Sequence, residues 1–171
     1  ALSLRAQGIF HPILIFGFTP AEHAKTLNEY NLTQNIFYIG YARELQQAAQ
    51  AAGGDVGVHI KVDTGMSRLG FVLDNGFAAT SASEIQEVAA MPNLTAEGIF
   101  THFAVSDELE DESEEYTRHQ FHQFRAIVSA LRERGVRFAI HHCCNSGGLL
   151  NYPEMHLDMV RPGIILYGLY P

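Results

Sequence analysis

The chain has 171 residues, with 11 Lys and Arg against 19 Asp and Glu, giving a formal charge of −8 with histidine neutral. Seven of those acids crowd into Asp107 to Glu115, so a polyanion such as DNA would meet mostly repulsion, which disfavours nucleic acid as a partner. At 47% hydrophobic and 18% charged residues this is the composition of one packed domain, and no apolar run nears the roughly 20 residues that cross a bilayer.

In chain order, six short β-branched or aromatic runs read as strands: Pro12–Gly17, Ile36–Tyr41, Val56–Asp63, Ala96–Phe103, Phe138–Asn145 and Met159–Gly168. Helical patterns fill the gaps. Thr19-Pro-Ala-Glu22 reads as a helix start, with Thr19 as N-cap, Pro20 at the first helical position and Glu22 reaching back, and this helix runs to about Asn31. Further helices are expected over Arg43–Ala52, stopped by Gly53-Gly54, over about Gly76–Ala90, stopped before Pro92, and over about Ser113–Arg134, stopped by Gly135.

Strands separated by helices of this length pair in parallel through right-handed crossovers, as an open doubly wound sheet or a closed barrel. Periodicity does not choose between them. The missing Gly-x-Gly-x-x-Gly after the first strand weakens the dinucleotide-type sheet. A (β/α)8 TIM-type barrel needs eight strands and roughly 250 residues, so the chain is expected to hold an incomplete barrel of about six βα units.

Polar and glycine-rich residues gather at the expected C-terminal strand ends: Lys61 to Gly70, Thr101 to Asp107, His142 to Gly148 and Arg161 to Ile164. Each alone is ordinary loop chemistry. Together at the edge where βα folds build their sites they point to a functional site. Asn145-Ser-Gly-Gly148 and Pro162-Gly163-Ile164 can aim main-chain amides and the Ser146 hydroxyl at one phosphate.

Metal readings fare worse. In His141-His-Cys-Cys144 strand alternation leaves two ligands per face, and His119 and His122 sit on an acid-flanked helix, so no metal site is expected. The acidic run lacks the spacing of a calcium loop and suits a helix N-terminus. Cys143 and Cys144 are the only cysteines, and a disulfide between neighbours would be strained, so a reducing, cytoplasmic compartment is expected.

Lys61-Val-Asp-Thr-Gly-Met-Ser-Arg-Leu-Gly-Phe71, Gly98-Ile-Phe-Thr-His-Phe-Ala-Val-Ser-Asp107, Asn145-Ser146 and Val160-Arg-Pro-Gly-Ile-Ile-Leu-Tyr-Gly168 together resemble the barrel domain of bacterial alanine racemases, the fold-type III enzymes that use pyridoxal 5'-phosphate. The resemblance covers nearly the whole chain. It implies that Ser146, Gly163 and Ile164, with Asn145 beside them, bind the cofactor's phosphate, and that Arg161 hydrogen-bonds its pyridine nitrogen. It places His102 beside the ring and His142 behind Arg161, and sets Arg68 near the phenolic oxygen and the substrate carboxylate. Arg68, His102 and Arg161 are thus the candidate catalytic residues. Lys61 matches a lysine that several members carry as a carbamate.

The resemblance also implies a lysine that holds the cofactor as a Schiff base and a tyrosine acting on the opposite face. Neither is found here: of the two lysines, Lys25 lies in a helix without that context and Lys61 matches another position. The chain is therefore expected to be an internal piece of the barrel, without its first βα units and the C-terminal β-domain. The implied parent activity is interconversion of L- and D-alanine by a homodimer, supplying D-alanine for peptidoglycan. A serine or dual serine/alanine racemase, a non-racemising pyridoxal-phosphate protein and a catalytically silent barrel fragment are the alternatives.

Overall fold

In the computed structural model, which describes residues 1–171, every strand pairing is parallel. The strands are β1 (Ile13–Ile15), β2 (Leu32–Ile36), β3 (Val56–Asp63), β4 (Phe71–Val72), β5 (Leu94–Phe100) and β6 (Ile140–His142). They lie side by side as β1-β2-β3-β5-β6, with the short β4 against the C-terminal end of β3. An order that follows the chain without reversal is that of a barrel rather than a doubly wound sheet. The fold is an incomplete TIM-type barrel.

Alternation along β3 explains its two faces. Val56, Val58, Ile60 and Val62 are buried against α3 (Ile39–Ala52), α4 (Ala78–Ala89) and α5 (Asp111–Glu133), which contribute Leu45 and Ala49, Ile85 and Val88, and Phe124, Ile127 and Leu131 to the same core. Each fully buried aliphatic side chain there stabilises the fold by about 1.5–3 kcal/mol. Gly57, His59, Lys61 and Asp63 therefore point the other way, into the barrel interior. Asn35, Phe100 and His142 share that face, because the register sets Asn35 opposite His59 and Phe100 opposite both Lys61 and His142.

Between Val58 and His59 the β3–β5 register slips by one residue, leaving Glu97 as an extra residue whose carboxylate accepts a hydrogen bond from Thr33 Oγ1 at 3.2 Å. The slip brings Gly98 level with His59.

Several expected elements moved. The strand expected over Ile36–Tyr41 is Leu32–Ile36, and α3 already begins at Ile39 because Ile39, Ala42, Leu45 and Ala49 continue its apolar stripe. Thr19 caps nothing; Pro20 instead leads into a single 3-10 turn, Ala21–His23, before α2 (Ala24–Glu29). No strand forms over Met159–Gly168. Pro162 offers no amide to a ladder, Gly163 leaves the extended region at φ −121 and ψ −91, and Ile164–Tyr167 coil into a 3-10 turn. The short α1 (Leu2–Ala6) was not expected, and neither was β4. Gly53 ends α3 as anticipated, in the left-handed conformation at φ 70. Acids in the first turn of α5, Asp111, Glu112 and Glu114, take the favourable end of its dipole.

Candidate active site

Arg161 lies between two 3-10 turns, Pro153–Met155 and Ile164–Tyr167, and reaches back over the strand ends. Its backbone amide donates to Cys144 O at 3.0 Å, which anchors the residue beside β6. Its guanidinium donates from Nη2 to Thr101 O and Cys143 O, both at 2.9 Å, and from Nη1 to His142 Nδ1 at 2.7 Å. The group also lies over the rings of Phe100, at 5.3 Å, and Phe16, at 5.9 Å. Nε–H takes no partner within the chain and stays available to a ligand. Burial pulls its pKa down to about 10, still far above neutral pH, so the charge persists.

Two imidazoles support this cation in their neutral forms. Burial, with Arg161 next in effect, pushes His142 down to about 2. His102, whose Nδ1 lies 3.5 Å from Arg161 Nη2, is held to about 4 by burial and by the positive field of Arg161, Lys61 and Arg68.

Lys61 is 5% exposed at the mouth of the barrel interior, and burial followed by the Arg68 charge lowers its pKa to about 8. The nearby Asp63 carboxylate raises it, but by less than those two effects lower it. Asp63 Oδ1 accepts from Gly65 N (2.9 Å) and Ser67 N (3.0 Å) and its Oδ2 from Arg68 N (3.1 Å), folding the loop so that Arg68 returns to the site. Lys61, Arg68 and Arg161 thus bring positive charge to one opening, an arrangement that favours anions.

The second anion-favouring feature lies at the start of α6 (Ser146–Asn151). Asn145 caps it, its Oδ1 accepting from Gly148 N (2.9 Å) and from Ser106 Oγ (2.7 Å). Ser146 Oγ accepts from Gly163 N at 2.9 Å, which joins the two glycine-containing loops and leaves the serine proton free to donate. The amides of Ser146, Gly147 and Ile164 make no backbone hydrogen bond. Gly147 is packed too tightly for a side chain, since a Cβ there would meet the Ser106 and Asp107 backbone at 2.8 Å.

The candidate cofactor and substrate residues thus fall at this one edge: Lys61 near the end of β3 and Arg68 after it, His102 after β5, His142 at the end of β6, then Asn145, Ser146, Arg161, Gly163 and Ile164. The cysteine and histidine cluster is used otherwise. Both thiols donate to Met155 O, at 3.1 and 3.3 Å, and His141 turns outward to Asp158 at 2.8 Å. Sequence reasoning overlooked three supporting residues. His59 shares the Lys61 face two residues earlier, a position that strand alternation marks. Gln120 on α5 bonds Ala104 N (2.9 Å), Thr64 Oγ1 (3.3 Å) and His102 O (3.3 Å), tying the loops after β3 and β5 together. Its signal was an uncharged polar residue inside the buried Thr117, Phe124, Ile127 stripe. Asp63 was part of a quoted motif but had no role.

A parallel β/α barrel with its polar residues gathered at the C-terminal strand ends has the layout of the TIM-barrel enzymes, which build their active sites at that face. Residues 1–171 match the family described as "Alanine racemase, N-terminal domain". An alanine racemase of Desulforamulus reducens is 44% identical over 171 residues, all of this chain and 44% of that protein, and one from Desulfovibrio desulfuricans is 46% identical over the same span. The structure of alanine racemase from Clostridium difficile 630 in complex with cycloserine superposes with a TM-score of 0.90 at 37% identity, over 99% of this chain and 45% of that one. The Bacillus anthracis alanine racemase with bound L-Ala-P gives 0.88 at 30% identity, over 99% and 42%. The chain belongs to the alanine racemase family. It spans 44% of the length of the first of these relatives. No helix is long and apolar enough to cross a membrane.

Proposed function

We propose that this chain is the cofactor-binding barrel portion of an alanine racemase, an isomerase that interconverts L- and D-alanine with pyridoxal 5'-phosphate. The observation that carries the reading is the Arg161 clamp: a permanent cation fixed by two carbonyls and a neutral imidazole, with Nε–H left over.

The donor set fits that cofactor. The unpaired amides of Ser146, Gly147 and Ile164, with the Ser146 hydroxyl, suit a phosphate dianion. Arg161 suits the acceptor nitrogen of a pyridine, and Arg68 suits a phenolic oxygen or a carboxylate. Bound pyridoxal phosphate supplies an electron sink that makes the α-proton of an attached amino acid removable. Arg161 would tune that sink. As a guanidinium it keeps its own proton, so it would donate a hydrogen bond to the pyridine nitrogen without protonating it. That would leave the sink weaker and favour return of the proton to Cα over its loss to the cofactor. His102 beside the ring adds no charge, because it is neutral. Arg68 binds the substrate carboxylate and so orients the α-hydrogen.

Lys61 is proposed to carry a carbamate, which would set a negative charge against Arg68 and fix its position. The Schiff-base lysine and the opposite-face tyrosine are proposed to come from the parent protein outside these 171 residues, the tyrosine from a homodimer partner. A cytoplasmic setting and D-alanine supply to peptidoglycan belong to the same proposal. The test is a D-alanine assay on the purified full-length protein, with L-alanine and L-serine offered separately. D-alanine formation that depends on added pyridoxal phosphate is expected; turnover of serine alone, or of neither, would reject the assignment.

A further inference from the structure

We infer that His59 is a positioning residue for this site: by accepting a hydrogen bond from His142 Nε2 it fixes the tautomer of His142, and through it the seat of the Arg161 guanidinium. The effect on racemisation rests on the function proposed above, whereas the hydrogen-bond chain itself does not.

The direction of the chain follows from Arg161. A guanidinium has donors and no acceptor, so at the 2.7 Å contact His142 Nδ1 must present its lone pair. The proton of neutral His142 is therefore on Nε2. That atom lies 2.9 Å from His59 Nδ1, which must then accept, leaving the His59 proton on Nε2. The opposite assignment fails at the first link, because a proton on His142 Nδ1 would face the guanidinium donor head-on. An acceptor at position 59 is thus the partner that the buried Nε2–H of His142 requires.

Packing holds both rings in register. The His142 ring stacks on Phe100 with centroids 4.6 Å apart and planes 7° from parallel, and Phe100 also lies under Arg161. His59 lies so close over β5 that a Cβ at position 98 would sit 2.5 Å from its Cε1 and 2.6 Å from its Nδ1. Gly98 reaches that place through the register slip at Val58 and His59. Burial depresses His59 to about 4, so it stays an uncharged acceptor at working pH.

The test uses the full-length protein labelled with 15N-histidine, prepared without cofactor, its signals assigned by their loss in His59→Gln and His142→Gln. Expected are a bare Nδ1 and a protonated Nε2 on both residues at neutral pH. A proton on His142 Nδ1 in the wild type would overturn the inference, whether or not any variant folds. His59→Leu removes the acceptor and is expected to lower kcat about tenfold or more, in line with other losses of outer hydrogen-bond partners. His59→Gln, whose amide oxygen can still accept, should recover most of that loss. Equal losses in both variants, or none in His59→Leu with its His142 tautomer unchanged, would count against the role. If the tautomers are as assigned but the wild type racemises nothing, the hydrogen-bond chain stands and the proposed function falls; if alanine is racemised but the tautomers differ, only the inference about His59 falls.

Discussion

Adding or removing CO2 is the perturbation to which the site should respond most distinctively, because carbamate formation at Lys61 needs a neutral amine. With its pKa lowered to about 8, Lys61 is about one-quarter neutral at pH 7.5, against about one part in a thousand for a lysine at the ordinary 10.5, a gain of about 200-fold in reactive amine. The amine lone pair attacks the CO2 carbon, the nitrogen loses a proton to solvent, and a cation becomes an anion facing Arg68. The sign of the linkage agrees. A lysine whose folded pKa lies below its unfolded value opposes folding at neutral pH, and that penalty fades as pH rises from about 8 towards 10.5. Modification removes it at neutral pH. The assay is a 13C spectrum of the full-length protein equilibrated with labelled bicarbonate. A carbamate signal that grows between pH 7 and 8.5 and is absent in Lys61→Ala is expected. Electron density showing a free ammonium at Lys61 under saturating bicarbonate, with no such signal, would refute the reasoning.

Arg161→Glu in the full-length enzyme should raise transamination relative to racemisation, since a carboxylic acid can lend its proton to the ring nitrogen; an unchanged ratio of pyruvate to D-alanine would count against the ring contact. Gly98→Ala should crowd the His59 ring from 2.5 Å and destabilise by about 1–3 kcal/mol in urea unfolding, the usual range for overpacking. Gln120→Leu strands the Ala104 amide and should cost about 1–3 kcal/mol in the same assay, and a loss below a few tenths would show that the two loops hold together without it.

Much of the fold was legible because β3 and the long helices carry strong, uninterrupted patterns: four apolar residues facing helices on one strand, and a helical stripe of five buried positions on α5. The failures share a cause. At Ile36–Tyr41 an aromatic run spans the end of β2 and the start of α3, and local composition cannot say where one period gives way to the other. At Met159–Gly168 a β-branched run was outweighed by Pro162 and Gly163, whose backbone effects bend the chain before a ladder can form. The site was legible through its motifs, which cluster at strand ends whatever the boundaries of those strands. His59 and Gln120 escaped because their work is done on neighbouring groups rather than on a ligand. Alternation along β3 and the buried stripe of α5 mark their positions, but which ring or loop each one holds is visible only in three-dimensional contacts.

In the function proposed above, Arg161 donates a hydrogen bond to a pyridine nitrogen that stays unprotonated. Loading the full-length protein with pyridoxal phosphate carrying 15N in the ring tests this most directly. A nitrogen resonance in the range of a neutral, hydrogen-bonded pyridine, moving markedly in Arg161→Glu, is the expected result. A pyridinium resonance in the wild type, or a signal indifferent to that substitution, would rule out the proposed contact.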